Sequence, residues 1–146
     1  MRSPRVPDVR WRIHLASSPE AVYELLSTGE GRARFWAESA AAEDGAVAFE
    51  FPDGTRWVGR VVEADPPRRF SVEYLGNSTA SFTIEADDAG GTDLTIEETG
   101  VPPDWIGENR AGWVSVLLTL KAAADFGVDL RNHDASRSWS QGYCDN

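Results

Sequence analysis

The stretch Arg131-Asn132-His133-Asp134 holds the sequence's nearest approach to a catalytic pair. An imidazole stands next to a carboxylate that could set its tautomer or orient it as a general base. A nucleophile should complete such a pair, yet no serine, threonine or cysteine stands at a readable spacing from His133. The second histidine, His14, falls on the outward parity of a strand and reads as a solvated side chain. Two histidines far apart in the chain do not make a histidine-rich metal site. Cys144 is the single cysteine, without a basic sequence neighbour to favour its thiolate. Glu63 has inward parity but stands at a strand end before Asp65-Pro66-Pro67, where water reaches it. Gly90-Gly91-Thr92 sits in a hairpin, the wrong context for a phosphate-cradling loop. No catalytic residue, metal or cofactor is therefore assigned.

Aromatic residues offer a different chemistry. Trp36, Trp57, Tyr74 and Trp113 project toward the space between a sheet and a long helix, with Phe49 and Leu117 on the same inward faces. Their ordinary role is to fill a core, each contributing about 1.5–3 kcal/mol by burial. Their sharper role is to line an apolar pocket that holds a small hydrophobic molecule. Gly59 shares the parity of Trp57 and removes a side chain where a ligand or a backbone comes close. Ser115 and Thr119, four residues apart on one helix face, are the polar candidates for the same lining; either hydroxyl could instead bond its own helix backbone.

These side chains need elements to place them. Val9, Trp11, Ile13 and Leu15 alternate with Arg10, Arg12 and His14, the period of a half-buried strand. Ser17 or Ser18 caps a helix that Pro19 and Glu20 open, with Val22, Leu25 and Leu26 on its apolar face. Gly29 and Gly31 break it before a second short helix that ends in Phe35 and Trp36. Glu38–Glu43 reads as a weak strand. Turn residues at 51–55, 65–69, 76–78 and 88–92 then divide a meander of antiparallel strands. The sets Val47/Phe49/Phe51, Phe70/Val72/Tyr74, Phe82/Ile84 and Leu94/Ile96 define one buried face. A helix over about 111–127 follows, with Asp104 as the candidate cap and Gly127 as the stop. Gly107 and Gly112 suggest a kink or a close approach to the sheet. Only this helix is large enough to cover the apolar face, so it leans on the concave side of its own sheet.

The bulk properties narrow the partners. A formal charge of −10 disfavours nucleic acid and anionic membrane surfaces. The apolar run from Trp113 to Ala124 is shorter than the roughly 20 residues of a membrane span, and Lys121 interrupts it. The N-terminal MRSPRVPDVRW has basic residues without an apolar segment behind them, unlike a secretory signal. One cysteine and no disulfide agree with the cytoplasm.

In order along the chain, ASSPEAVYELLS, RARFW, FPDGTRWVGRVVEADPPRRFSVEY, GGTDLTIEETG and GWVSVLLTL resemble the SRPBCC superfamily, the START-like or birch-pollen-allergen-like proteins. Within it the sequence is most similar to the family named after the heat-shock-protein-90 ATPase activator homologues. The tail DLRNHDASRSWSQGYCDN resembles the ends of a bacterial subgroup. The resemblance implies an α+β helix-grip fold over residues 8–130, with a curved antiparallel sheet of six or seven strands wrapped around the long C-terminal helix and two short helices after the first strand. It implies a pocket between sheet and helix. Trp139 and Tyr143 are large aromatics that need something to cover, so the tail over 131–146 is expected to dock on the domain as a strap, a lid or a dimer contact. The cluster-bearing oxygenases of the superfamily need an added domain with cysteine and histidine ligands, for which this chain has no room. The expected function is a non-catalytic carrier or sensor of a lipid-like, polyketide-like or aromatic molecule. A small cyclase or hydrolase using the same cavity, and a chaperone-related interaction module with a protein partner or a homodimer, are the alternatives.

Overall fold

The computed structural model describes residues 6–146; the first five residues of the basic N-terminal stretch lie outside the described residues. The elements run β1 (Val9–Leu15), α1 (Pro19–Ser27), α2 (Gly29–Ala33), β2 (Ser39–Glu43), β3 (Ala46–Glu50), β4 (Arg56–Asp65), β5 (Arg69–Tyr74), β6 (Ser78–Ala86), β7 (Thr92–Thr99) and α3 (Ile106–Phe126). Seven antiparallel strands form one sheet in the order β1-β7-β6-β5-β4-β3-β2, and α3 packs across it. This is the helix-grip α+β architecture. Among the described residues no helix is long and apolar enough to cross a membrane.

The inward parity holds along most strands. Val47, Phe49, Phe70, Val72, Tyr74, Phe82, Ile84, Leu94 and Ile96 are all buried. The exception is β4, where a bulge between Val61 and Glu63 shifts the register against β5. That shift turns Glu63 outward, where its carboxylate accepts from Arg69 Nε at 2.8 Å. Upstream of the bulge, Gly59 does meet a close backbone. A Cβ there would lie 1.8 Å from the Glu73 carbonyl oxygen on β5.

Ser18 caps α1, its side chain accepting from the Ala21 N–H. The second helix differs from the sequence expectation. Thr28 caps it, Gly29 and Gly31 lie inside it, and Phe35 and Trp36 follow in the turn beyond its end. A Cβ on Gly31 would sit 2.6 Å from the Leu25 backbone, so the glycine lets α2 fold tightly against α1.

The long helix starts five residues earlier than expected. Asp104 does not cap it; a 3-10 turn over Pro103–Trp105 feeds directly into Ile106, with Trp105 at the cap position and no side-chain cap bond. Gly127 ends it in the left-handed conformation, as expected. Gly107 and Gly112 make no close approach, since a Cβ at either would meet open space, and the helix runs unbroken through both.

Candidate functional site

Five aromatic rings fill the space beneath the N-terminal half of α3. Trp36 is their hub, with ring centroids 5.0 Å from Phe49, 5.6 Å from Tyr74, 5.5 Å from Phe82 and 5.7 Å from Trp113. Such tilted and edge-on contacts add to the burial of each ring. The interior of the grip is therefore largely packed with side chains, and the free space is displaced to its mouth.

There a cleft of about 270 Å³ opens between four parts of the chain. The β3–β4 turn supplies Phe51, Pro52, Asp53 and Thr55; the end of β5 supplies Tyr74 and Leu75. Glu108, Asn109, Gly112, Trp113, Ser115 and Val116 come from α3, and the tail adds Arg131, Trp139 and Asn146. Trp36 completes the floor. Most of the lining is apolar, as in small-molecule sites; of its charged residues Asp53 and Glu108 are exposed and Arg131 is buried.

Of the residues singled out in the sequence, Trp36, Tyr74, Trp113 and Ser115 stand on this wall. Phe49 and Leu117 do not: both are buried behind it in the core. Trp57 is half-buried to one side, because its indole N–H donates to the Glu73 carbonyl at 3.1 Å, the same oxygen that Gly59 accommodates. Thr119 is also away from the cleft. Its hydroxyl lies 3.0 Å from the Phe35 carbonyl and 2.8 Å from that of Val116, so it ties α3 to the turn before Trp36.

A buried carboxylate supports the wall from behind. Glu98 is 0% exposed. Trp113 Nε1 donates to it at 2.8 Å, Ser78 Oγ at 2.5 Å and Asn109 Nδ2 at 3.2 Å. Sequence reasoning passed over this residue, although it continues the parity of Leu94 and Ile96, both of which face inward. A carboxylate so fully engaged fixes the side chains that form the floor. Tyr74 feels it as well: burial first, and then the negative charge of Glu98, hold the phenol above its ordinary pKa, against a hydrogen bond from Trp36. The indole N–H of Trp36 donates to the Tyr74 hydroxyl at 3.1 Å.

The tail folds back over α3. Ser115 Oγ donates to the Cys144 carbonyl at 2.6 Å, and Trp139 Nε1 to Glu108 at 2.8 Å. Arg131 anchors the start of the tail, its guanidinium donating to the carbonyls of Ala33 and Ala37 and to both oxygens of Asp129. His133 does not pair with Asp134. Its two nitrogens lie 2.6 Å from Glu38 and 2.7 Å from Asp129, and these contacts raise its pKa. Asp134 instead takes Ser136 and Arg137. No nucleophile faces this imidazole among the described residues, which carry no cluster of metal-ligating side chains either. His14 points outward and pairs with Asp87 at 2.6 Å.

A family model described as Activator of Hsp90 ATPase homolog 1-like protein matches residues 16–125. The chain belongs to this family. No curated protein matches it. Among solved structures, this family member is similar to a protein from Staphylococcus saprophyticus, at 19% identity and a TM-score of 0.74, over 84% of this chain and 95% of that one. The Aha1 dimer from Colwellia psychrerythraea shares 21% identity at a TM-score of 0.72, covering 82% of this chain and 96% of that one. A protein of the dynemicin biosynthetic locus shares 21% identity at a TM-score of 0.71, over 83% of this chain and 48% of that one. These likenesses establish the shared fold, and the cleft belongs to the mouth of its grip.

Proposed function

We propose that this family member is a carrier or sensor that binds a small hydrophobic molecule in the cleft, and that the tail closes over it. The observation that carries the reading is the cleft itself, an aromatic floor of Trp36, Tyr74 and Trp113 beneath a polar rim. Phe51 and Trp139 extend the same surface from the β3–β4 turn and from the tail. Its volume lies near the lower end of the roughly 300–1,000 Å³ usual for ligand sites, which favours a compact molecule. The similar protein of the dynemicin biosynthetic locus is in keeping with an organic ligand. The cyclase or hydrolase alternative has weaker support, because Glu98, the buried acid nearest the floor, already accepts from three side chains. Native mass spectrometry of freshly purified protein tests the reading. A non-covalent adduct of a few hundred daltons, the mass of a drug-sized ligand, is the expected result. Apo mass persisting after incubation with cell extract would defeat it. Deleting residues 132–146 should leave a folded domain with altered ligand affinity if the tail is a lid; simple loss of folding would make it a strap.

A second reading, self-association, draws on the outer face of α3. Val114 and Leu118 lie one turn apart there, and Leu118 is 51% exposed. The similar protein from Colwellia psychrerythraea forms a dimer. Sedimentation velocity of the wild type against Leu118→Glu decides it, a dimer lost in the variant being the expected outcome.

A further inference from the structure

The hydroxyl of Tyr74, on the aromatic floor of the cleft, has its bonding half used. A phenol offers one donor and two acceptor lone pairs. The Tyr74 oxygen accepts from Trp36 Nε1, but its own O–H has no acceptor among the described residues. The residue is only 8% exposed and stands on the cleft wall, so an acceptor for that proton has to come from within the cleft. A buried donor left without a partner costs about as much as a lost hydrogen bond, and a ligand that accepts from it recovers that cost. The other polar donors of the floor are committed. The indole N–H of Trp113 and the amide of Asn109 both serve Glu98.

We propose that the cleft selects a neutral, compact aromatic compound bearing a carbonyl oxygen, which accepts a hydrogen bond from Tyr74. This rests on the ligand-binding reading above and narrows it to a chemical class. Charge argues against an anion: Glu98 lies behind the floor, Glu108 and Asp53 stand on the wall, and the guanidinium of Arg131 is already matched by Asp129. A cation finds no carboxylate without a partner here: Glu98 and Glu108 accept from indole N–H groups and Asp53 from the Thr55 backbone N–H. The raised pKa of Tyr74 keeps the phenol protonated, and so a donor, throughout the physiological range.

Matched bicyclic probes test the class. Tetralone, tetralin, a tetralin carboxylate and a tetralinyl ammonium ion are titrated into the wild type and Tyr74→Phe, followed by tryptophan fluorescence and calorimetry. The ketone should bind the wild type about fivefold more tightly than the hydrocarbon, the worth of one ordinary hydrogen bond, and more tightly than either ion. Its carbonyl stretch should move to lower frequency on binding, a readout that needs no variant. In Tyr74→Phe the ketone-to-hydrocarbon ratio should fall to about one. Equal binding of ketone and hydrocarbon by the wild type, or tightest binding by either ion, leaves the cleft as a ligand site and overturns the class. Binding by none of the probes overturns the class and counts against the cleft as well.

Discussion

The cleft end of α3 and the α1–α2 side of the core each bury a charge, and they treat the two charges differently. At the cleft end Glu98 is 0% exposed and accepts from Trp113, Asn109 and Ser78. On the α1–α2 side, the closed end of the grip, Arg32 is also 0% exposed, yet among the described residues no carboxylate pairs with it. Its Nε and Nη1 donate to the carbonyls of Ala40 and Leu26, Nη2 is unpartnered, and burial lowers its pKa to about 10. The guanidinium also lies 6.0 Å from the centre of the Phe70 ring. A carboxylate with saturated bonding organises the side chains around it; a buried cation bonded only to backbone carbonyls serves mainly to tie segments together. The cleft end is thus built to hold a surface in place, and the closed end to seal.

The largest blow to this contrast would come from the hub. Trp36→Ala removes the ring that touches Phe49, Tyr74, Phe82 and Trp113 at once, and should cost about 3–5 kcal/mol in urea unfolding. A loss below about 1 kcal/mol would mean that the rings repack and that the floor is not rigid.

Next comes the direct comparison of the two charges. Glu98→Leu strands three donors and should cost about 3 kcal/mol, whereas Arg32→Met releases an incompletely paired cation and should cost about 1 kcal/mol. Guanidinium chloride unfolding of both variants ranks them. The reverse order would sink the distinction between an organising acid and a tying base.

A smaller effect is expected where the closed end is stitched. Asp125 accepts from the backbone N–H groups of Ala16 and Ser17 and from the Ser17 hydroxyl, and Lys121 lies 3.4 Å away. Burial pushes its pKa up, but these bonds outweigh it and the net shift is downward. A depressed carboxylate contributes stability above its unfolded pKa of about 3.9 and loses it as pH falls through the folded value. Asp125→Ala should therefore cost about 1–2 kcal/mol at neutral pH and progressively less in acid. Thermal unfolding across the acid range checks both the size and the slope.

How far these arrangements could be read beforehand follows the same divide. The strands and their inward faces were legible, because alternation and turn residues are local signals. The start of α3 was not, since a 3-10 turn with no capping side chain leaves no mark in sequence. The bulge at Val61/Glu63 defeats parity in the same way: one added residue turns Glu63 outward without changing composition. Glu98 was within reach of the parity rule applied strictly to Leu94 and Ile96. The pairing of His133 with Glu38 and Asp129 was out of reach, because it depends on where the tail turns back over the domain. Four of the eight lining candidates stand away from the cleft for a related reason. Inward parity says which face is buried, but only packing decides which buried side chains border empty space.

The smallest effect belongs to the tail, and its sign separates it from the closed end. His133 joins Asp129, just before the tail, to Glu38 just before β2, and Arg131 also bonds Asp129. Hydrogen bonds from Asp129 first and Glu38 second raise the pKa of the imidazole, with burial opposing them. The folded state therefore holds the proton more tightly than the unfolded one. That contribution is fully present below the unfolded value of about 6.5 and is lost as pH rises through the higher folded value. The imidazole is 38% exposed, so solvent screens the pair and the change in melting temperature should be modest. Wild-type stability should thus decline on going from mildly acidic to mildly alkaline buffer, and His133→Gln should flatten that decline while leaving the acid slope of Asp125 in place. A wild type whose melting temperature does not move across neutrality, or a variant that keeps the full slope, would show that the tail is held by Arg131, Trp139 and Ser115 without help from His133.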